Sequence, residues 1–115
     1  MVQTDSADTI ADGLATRVPF ELPLSVLREH IDEIVTVSEE SIREAVFRFF
    51  ETTHHVAEPA AAACLAAACR LKERLRGRSV VLIQSGCNIE LSVFRAVLQE
   101  FKVGTSSGVA GPLEE

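Results

Sequence analysis

The side chains best suited to chemistry cluster around one short run, Val80-Val81-Leu82-Ile83-Gln84-Ser85-Gly86-Cys87-Asn88. Open parallel sheets bind their ligands just past the carboxyl ends of their strands. The Ser85 hydroxyl, which follows a four-residue apolar run and one glutamine, therefore stands at a ligand address. A serine there fits a second role equally, capping the N-terminus of the helix that follows. Asn88 can orient the turn by bonding the backbone, or approach a ligand itself. Cys87 has no positioned histidine beside it, and a thiolate needs a base or positive neighbours to form. Its expected role is packing.

Elsewhere, Glu58 precedes Pro59 at a helix start, where the dipole favours a carboxylate by about 0.3 to 1 kcal/mol. Thr16, in the loop after Asp12-Gly13, offers a hydroxyl that could meet a substrate carboxylate. His54 and His55 suggest a metal or base pair, but adjacent histidines at a helix end read first as dipole partners or surface residues. Cys64, Cys69 and Cys87 are odd in number, with no Cys-x-x-Cys spacing and no histidine pair to complete a zinc set. Cys64 and Cys69, inside an alanine-rich stretch, read as small buried apolar groups. Three unpaired thiols suit a reducing, cytoplasmic compartment.

These groups must be held by elements that the periodicity makes visible. Leu24, Leu27 and Ile31 fall at spacings of three and four, which predicts a short amphipathic helix over 23–32 with Pro23 in its first turn. Ile34-Val35-Thr36-Val37 reads as a strand. Ser38 is then an N-cap, Glu39 and Glu40 suit the helix dipole, and Ile42, Ala45, Val46, Phe49 and Phe50 form one apolar face of a helix ending near Thr52–His55. After the connector 56–59, residues 60–75 read as a helix, alanine-rich first and basic at its end, stopped by Gly77. The run at 80–84 is a second strand, buried on both faces of a parallel sheet. Ile89, Val93, Ala96 and Val97 mark a last helix to about Phe101. Residues 1–20 lack periodicity and 104–115 read as a flexible tail.

The fold class expected is α/β, a partial open sheet of about two parallel strands with flanking helices. Two strands make a poor sheet alone because their edges stay unpaired, so the chain reads as a piece of a larger sheet. The 17 acidic and 11 basic residues give a formal charge of −6 without a basic block, which argues against nucleic acid as a partner. The acidic, polar segment Met1–Asp8 lacks the marks of a signal peptide. No apolar stretch free of charge reaches the length of a membrane span, since Glu58 and Arg70 bound the nearest candidate.

Four words of this sequence, in order, resemble the threonine dehydratase and serine racemase family, fold type II of the pyridoxal-phosphate (PLP) enzymes, whose fold is tryptophan synthase β-like. Thr9-Ile10-Ala11-Asp12-Gly13 is similar to that family's Thr-Ile-Ala-Asp-Gly, and Glu39-Glu40 with Ile42 to its Ser/Thr-Glu-Glu-x-Ile helix start. Glu58-Pro59-Ala60-Ala61-Ala62 resembles Glu-Pro-x-Gly-Ala, and Ser85-Gly86-Cys87-Asn88-Ile89 resembles Ser-Gly-Gly-Asn-Ile/Val. Ala61 and Cys87 stand where the family has glycine. Alanine suits a helical backbone, whereas Cys87 is hard to place if the position needs positive φ or close approach to the cofactor.

The resemblance implies that residues 1–103 are the C-terminal part of a PLP-dependent catalytic domain. It places Ser85 against the pyridine nitrogen and Gly86, Asn88 and Glu58 at the cofactor, and no metal ligand is expected; Thr16, which no family word covers, stays a separate candidate toward the substrate. The family reaction is deamination of L-threonine or L-serine, and its Schiff-base lysine and phosphate-binding loop would lie N-terminal to Met1. No Gly-rich phosphate cradle occurs in this sequence. The chain alone is thus expected to be inactive. The alternatives are a serine racemase-like segment and a non-catalytic module that assembles with a separate N-terminal half or as a homo-oligomer.

Overall fold

The computed structural model describes residues 4–102 and is built from helices: α1 (Glu21–His30), α2 (Glu39–Thr53), α3 (Pro59–Arg70), α4 (Lys72–Leu75) and α5 (Leu91–Lys102), with a 3-10 turn at Asp12–Leu14. The expected tail at 104–115 lies outside the described residues. Ser38 caps α2 as its position suggests, its Oγ accepting the Ser41 N–H at 3.2 Å. Pro59 occupies the first turn of α3, where its missing N–H costs nothing. The expected single helix over 60–75 is parted at Leu71, whose φ and ψ of −95° and 12° divide α3 from α4.

The core lies where α2, α3 and α5 meet. Ala45 and Val46 of α2, Ala57, Ala62 and Ala66 on and before α3, and Val97 of α5 are buried together. Ala62 and Ala66 are one turn apart, so a small-residue stripe faces α2 and lets the two backbones approach closely. Phe47 stacks on Phe101 at 5.4 Å and Phe50 meets Phe94 edge-on at 5.3 Å, closing α2 against α5. Val46 and Val97 are the largest side chains buried almost completely. This core contains no fully buried leucine or phenylalanine among the described residues.

The expected strands are not formed. The segments 34–37 and 80–84 are irregular, and no ladder occurs among the described residues. A strand exists only through hydrogen bonds to a partner, and these two segments do not pair with each other. Their apolar side chains point largely to solvent, with Val81 86 % and Ile83 74 % exposed. The two-strand sheet is therefore not found among the described residues. What fixes the first segment is a pair of arginines from the end of α3 and from α4. Arg70 donates to the Thr36 carbonyl, and Arg74 binds Glu33 bidentately at 2.7 and 3.1 Å.

Two cysteine expectations also change. Cys69 is exposed, because the Ala62–Ala66 stripe reaches it only at the last turn of α3, where it borders a shallow groove with Ser41, Glu44 and Arg48. Cys87 is exposed rather than packed, since the turn that carries it sits on the surface. Cys64 is half-buried, and burial pushes its thiol above the usual range. No described helix is long and apolar enough to cross a membrane.

Candidate functional site

Three distant segments converge on the Glu58 side chain. Glu58 is the N-cap residue of α3, yet its carboxylate does not cap its own helix. It turns instead to the segment that follows residues 80–84, and its Oε2 accepts the Asn88 N–H at 3.0 Å. In the other direction the Glu58 N–H donates to the Gly86 carbonyl at 3.2 Å. A β-carbon added at Gly86 would stand 2.6 to 2.7 Å from all three atoms of the Glu58 carboxyl group. Glycine is required there by the neighbour, not by the backbone, because Gly86 has no positive φ.

The third segment is the 3-10 turn. A β-carbon on Gly13 would lie 3.0 Å from the Ala60 β-carbon and 3.8 Å from Glu58 Oε1, so this turn presses on the start of α3. The Gly13 N–H is taken by Asp12 Oδ1 at 2.8 Å. Upstream, Thr9 and Ile10 are tied to the first turn of α2. The Thr9 hydroxyl donates to Glu39 Oε1 at 2.6 Å, the Ile10 N–H donates to Glu39 Oε2 at 2.9 Å, and the Ala11 N–H returns to Thr9 Oγ1 at 3.1 Å. The bonds to Glu39, that from Thr9 first, hold its carboxyl below the ordinary range, with a smaller contribution from the Arg43 charge.

The run after residue 80 is anchored to the same corner. Gln84 Nε2 donates to the Val56 carbonyl at 3.1 Å, and Cys64 Sγ lies 3.5 Å from the Ile83 carbonyl. The Ile89 N–H closes a tight turn on the Cys87 carbonyl at 3.0 Å. Ser85 is exposed and bonds to no other described residue. It also stands six residues before Leu91, so it does not cap α5. The capping role is thereby removed.

Of the residues singled out in the sequence, Glu58, Ser85, Gly86 and Asn88 are thus brought together. Thr16 is elsewhere, bordering a groove of about 540 Å³ with Arg17, Phe20, Leu24 and Leu27. His54 and His55 are exposed at the C-terminal end of α2, where His54 takes the left-handed conformation (φ 58°) that ends the helix. No group of three potential metal ligands occurs among the described residues. Cys87 has no positive φ and Ala61 is helical, so neither glycine replacement strains the backbone. Glu39 as a tie for Thr9 and Ile10, and Gly13 as a contact of α3, were not evident from spacing. The signal available for both was their place in two of the family-like words.

Known proteins resemble this chain in sequence and in fold. The profile of a family described as "Pyridoxal-phosphate dependent enzyme" matches residues 1–86. An L-threonine ammonia-lyase of Thermotoga maritima is 31% identical over 98 residues, covering 85% of this chain and 24% of the relative. Among solved structures, serine racemase from Dictyostelium discoideum superposes with a TM-score of 0.66 at 33% identity, covering 74% of this chain and 28% of that one. A T.th. threonine deaminase also gives 0.66, at 34% identity, covering 79% and 33%. The chain spans about a quarter to a third of the length of these relatives.

Proposed function

This chain belongs to the pyridoxal-phosphate dependent enzyme family, and from that premise we propose that it forms the pyridine-ring side of the cofactor site of a threonine dehydratase-like enzyme, an ammonia-lyase for L-threonine or L-serine. Residues 1–103 are then the C-terminal part of the catalytic domain. The observation that carries the reading is the convergence of Glu58, Gly86 and Asn88 beside an exposed, unbonded Ser85 hydroxyl. These residues would line one face of the cofactor. Gly86 lets the Glu58 carboxylate come close to the turn, and a neutral hydroxyl is a suitable partner for a ring nitrogen.

When bound, the cofactor supplies an electron sink for charge that develops at the substrate α-carbon, and the group facing its ring nitrogen tunes that sink. Ser85 offers a hydroxyl and no charge, which leaves the nitrogen less protonated than a carboxylate would and suits elimination over extended carbanion chemistry. Gly86, Asn88 and Glu58 would hold the cofactor beside this hydroxyl. Thr16 is the candidate for the substrate carboxylate, supported by its sharing a groove with Arg17.

The proton-transfer base lies outside these residues in this reading. Lys72 is separated from Glu58 by the whole of α3, about 18 Å of helix. Lys102 is the other lysine and ends α5. A Schiff-base lysine and phosphate loop contributed by a further segment complete the site, and the 115 residues alone are without turnover. The same words serve a serine racemase-like enzyme, and the likeness to the Dictyostelium discoideum racemase favours keeping that reading. Assembly with a lysine-bearing N-terminal half is supported by the exposed apolar side chains of Val81 and Ile83. Three free thiols suit a cytoplasmic setting.

The test is to incubate the chain with PLP, L-threonine and L-serine, alone and assembled with an N-terminal segment carrying the lysine and phosphate loop. Ammonia release by the assembly and none by the chain alone is the expected result. D-serine formation without ammonia would select the racemase reading, and turnover by the chain alone would reject the division of the site.

A further inference from the structure

We infer that Glu58 is a positioning residue, whose carboxylate locks the turn 85–88 in place and so fixes where the Ser85 hydroxyl stands. This inference rests on the cofactor reading above for its purpose, though its geometry does not. The turn is joined to Glu58 by two bonds of opposite sense, Asn88 N–H to Oε2 at 3.0 Å and Glu58 N–H to the Gly86 carbonyl at 3.2 Å. A pair of this kind fixes both the distance and the rotation of the turn relative to the start of α3. The first bond is charge-assisted, hence stronger than a bond between neutral groups.

Sterics enforce the same arrangement. The carboxyl group fills the volume that a β-carbon at residue 86 would need, at 2.6 to 2.7 Å from all three of its heavy atoms. On its other side stands the 3-10 turn, with Gly13 a close neighbour of Ala60. Pro59 is buried and α3 is packed into the core, so the backbone that carries Glu58 cannot yield. The two glycines and the carboxylate therefore act as one fitted unit. Its product is the placement of Ser85, two residues before the middle of the clamp and without a bond of its own among the described residues.

Amide hydrogen exchange of the full 115-residue chain, with no cofactor added, tests the clamp. Glu58→Ala should speed exchange at Asn88 roughly tenfold, while the amides of α2 and α3 keep their protection. Glu58→Gln, which retains a carbonyl acceptor, should restore most of the protection. Gly86→Ala should lower the thermal midpoint far more beside Glu58 than in the Glu58→Ala background, where the clash is gone. Equal Asn88 exchange in the wild type and Glu58→Ala would overturn the inference. So would loss of protection throughout α2 and α3 that Glu58→Gln fails to restore, because Glu58 would then be a general stabiliser.

The role in placing Ser85 is read in the complete enzyme, where Glu58→Ala should add little loss of kcat to Ser85→Ala. Full additivity of the two would contradict it. A clamp that is intact in exchange, together with no uptake of PLP by the complete enzyme, would overturn the cofactor reading alone.

Discussion

Glu39 shows how one carboxylate can hold a segment far away in the chain. It accepts from Thr9 and from the Ile10 N–H, and both bonds lower its carboxyl from an ordinary 4.5. A depressed folded-state value means that the stabilisation is fully present above the unfolded value and is lost as pH falls through the folded one. Thermal midpoints measured from neutral pH into the acid range should therefore show the wild type losing its advantage over Glu39→Gln below about pH 4.5. Thr9→Val at neutral pH should cost about 1–2 kcal/mol, read by denaturant unfolding. The Glu-Glu pair at a helix start was legible as dipole chemistry, but its partner some thirty residues earlier was not. Sequence spacing reports local neighbours, and this contact is tertiary. Glu58 repeats the pattern, with a dipole role suggested by Pro59 and a carboxylate that serves Asn88 instead.

At the level of the elements, α2, α3 and α5 were legible because each buries residues of one face at a period of about 3.6, whereas α1 buries none. Ile42, Ala45 and Val46 are buried as their spacing requires. Val46→Ala should cost about 1–3 kcal/mol and Ala62→Leu a similar amount by overpacking the α2–α3 seam. Equilibrium urea unfolding measures both. At the end of α2, His54 holds a left-handed φ of 58°, a conformation that glycine adopts without penalty. His54→Gly should raise stability by about 1 kcal/mol, and a loss in the same assay would show that the histidine side chain does more than end the helix. The strands were the elements that sequence could not settle. Val80–Ile83 has the composition of a buried strand, but a ladder belongs to two segments and the partner is not among the described residues.

For the whole molecule, the distribution of apolar groups is the clearest sign that this structure is made to be covered. The fully buried side chains are alanines and valines, while Phe20, Ile34, Val81 and Ile83 are mostly exposed. Exposed apolar groups in that number mark an interface, a ligand groove or an aggregation hazard. In the proposed enzyme they meet the lysine-bearing part. Val81→Lys should accordingly abolish assembly with that part while leaving the helical circular dichroism of the chain unchanged. The four family words name the fold that the solved relatives share, although the two expected strands are not formed among the described residues. The sequence could not say which surface is open, since that follows from the packing of α2, α3 and α5.

The proposed function turns on the Ser85 hydroxyl facing the ring nitrogen of PLP. Its sharpest probe is the nitrogen-15 chemical shift of ring-labelled cofactor in the complete enzyme, compared between the wild type and Ser85→Asp. The aspartate should move the ring nitrogen toward its protonated shift and lower ammonia release from L-threonine, with helix content unchanged. An identical ring-nitrogen shift in the two proteins would place Ser85 away from the ring and refute the assignment.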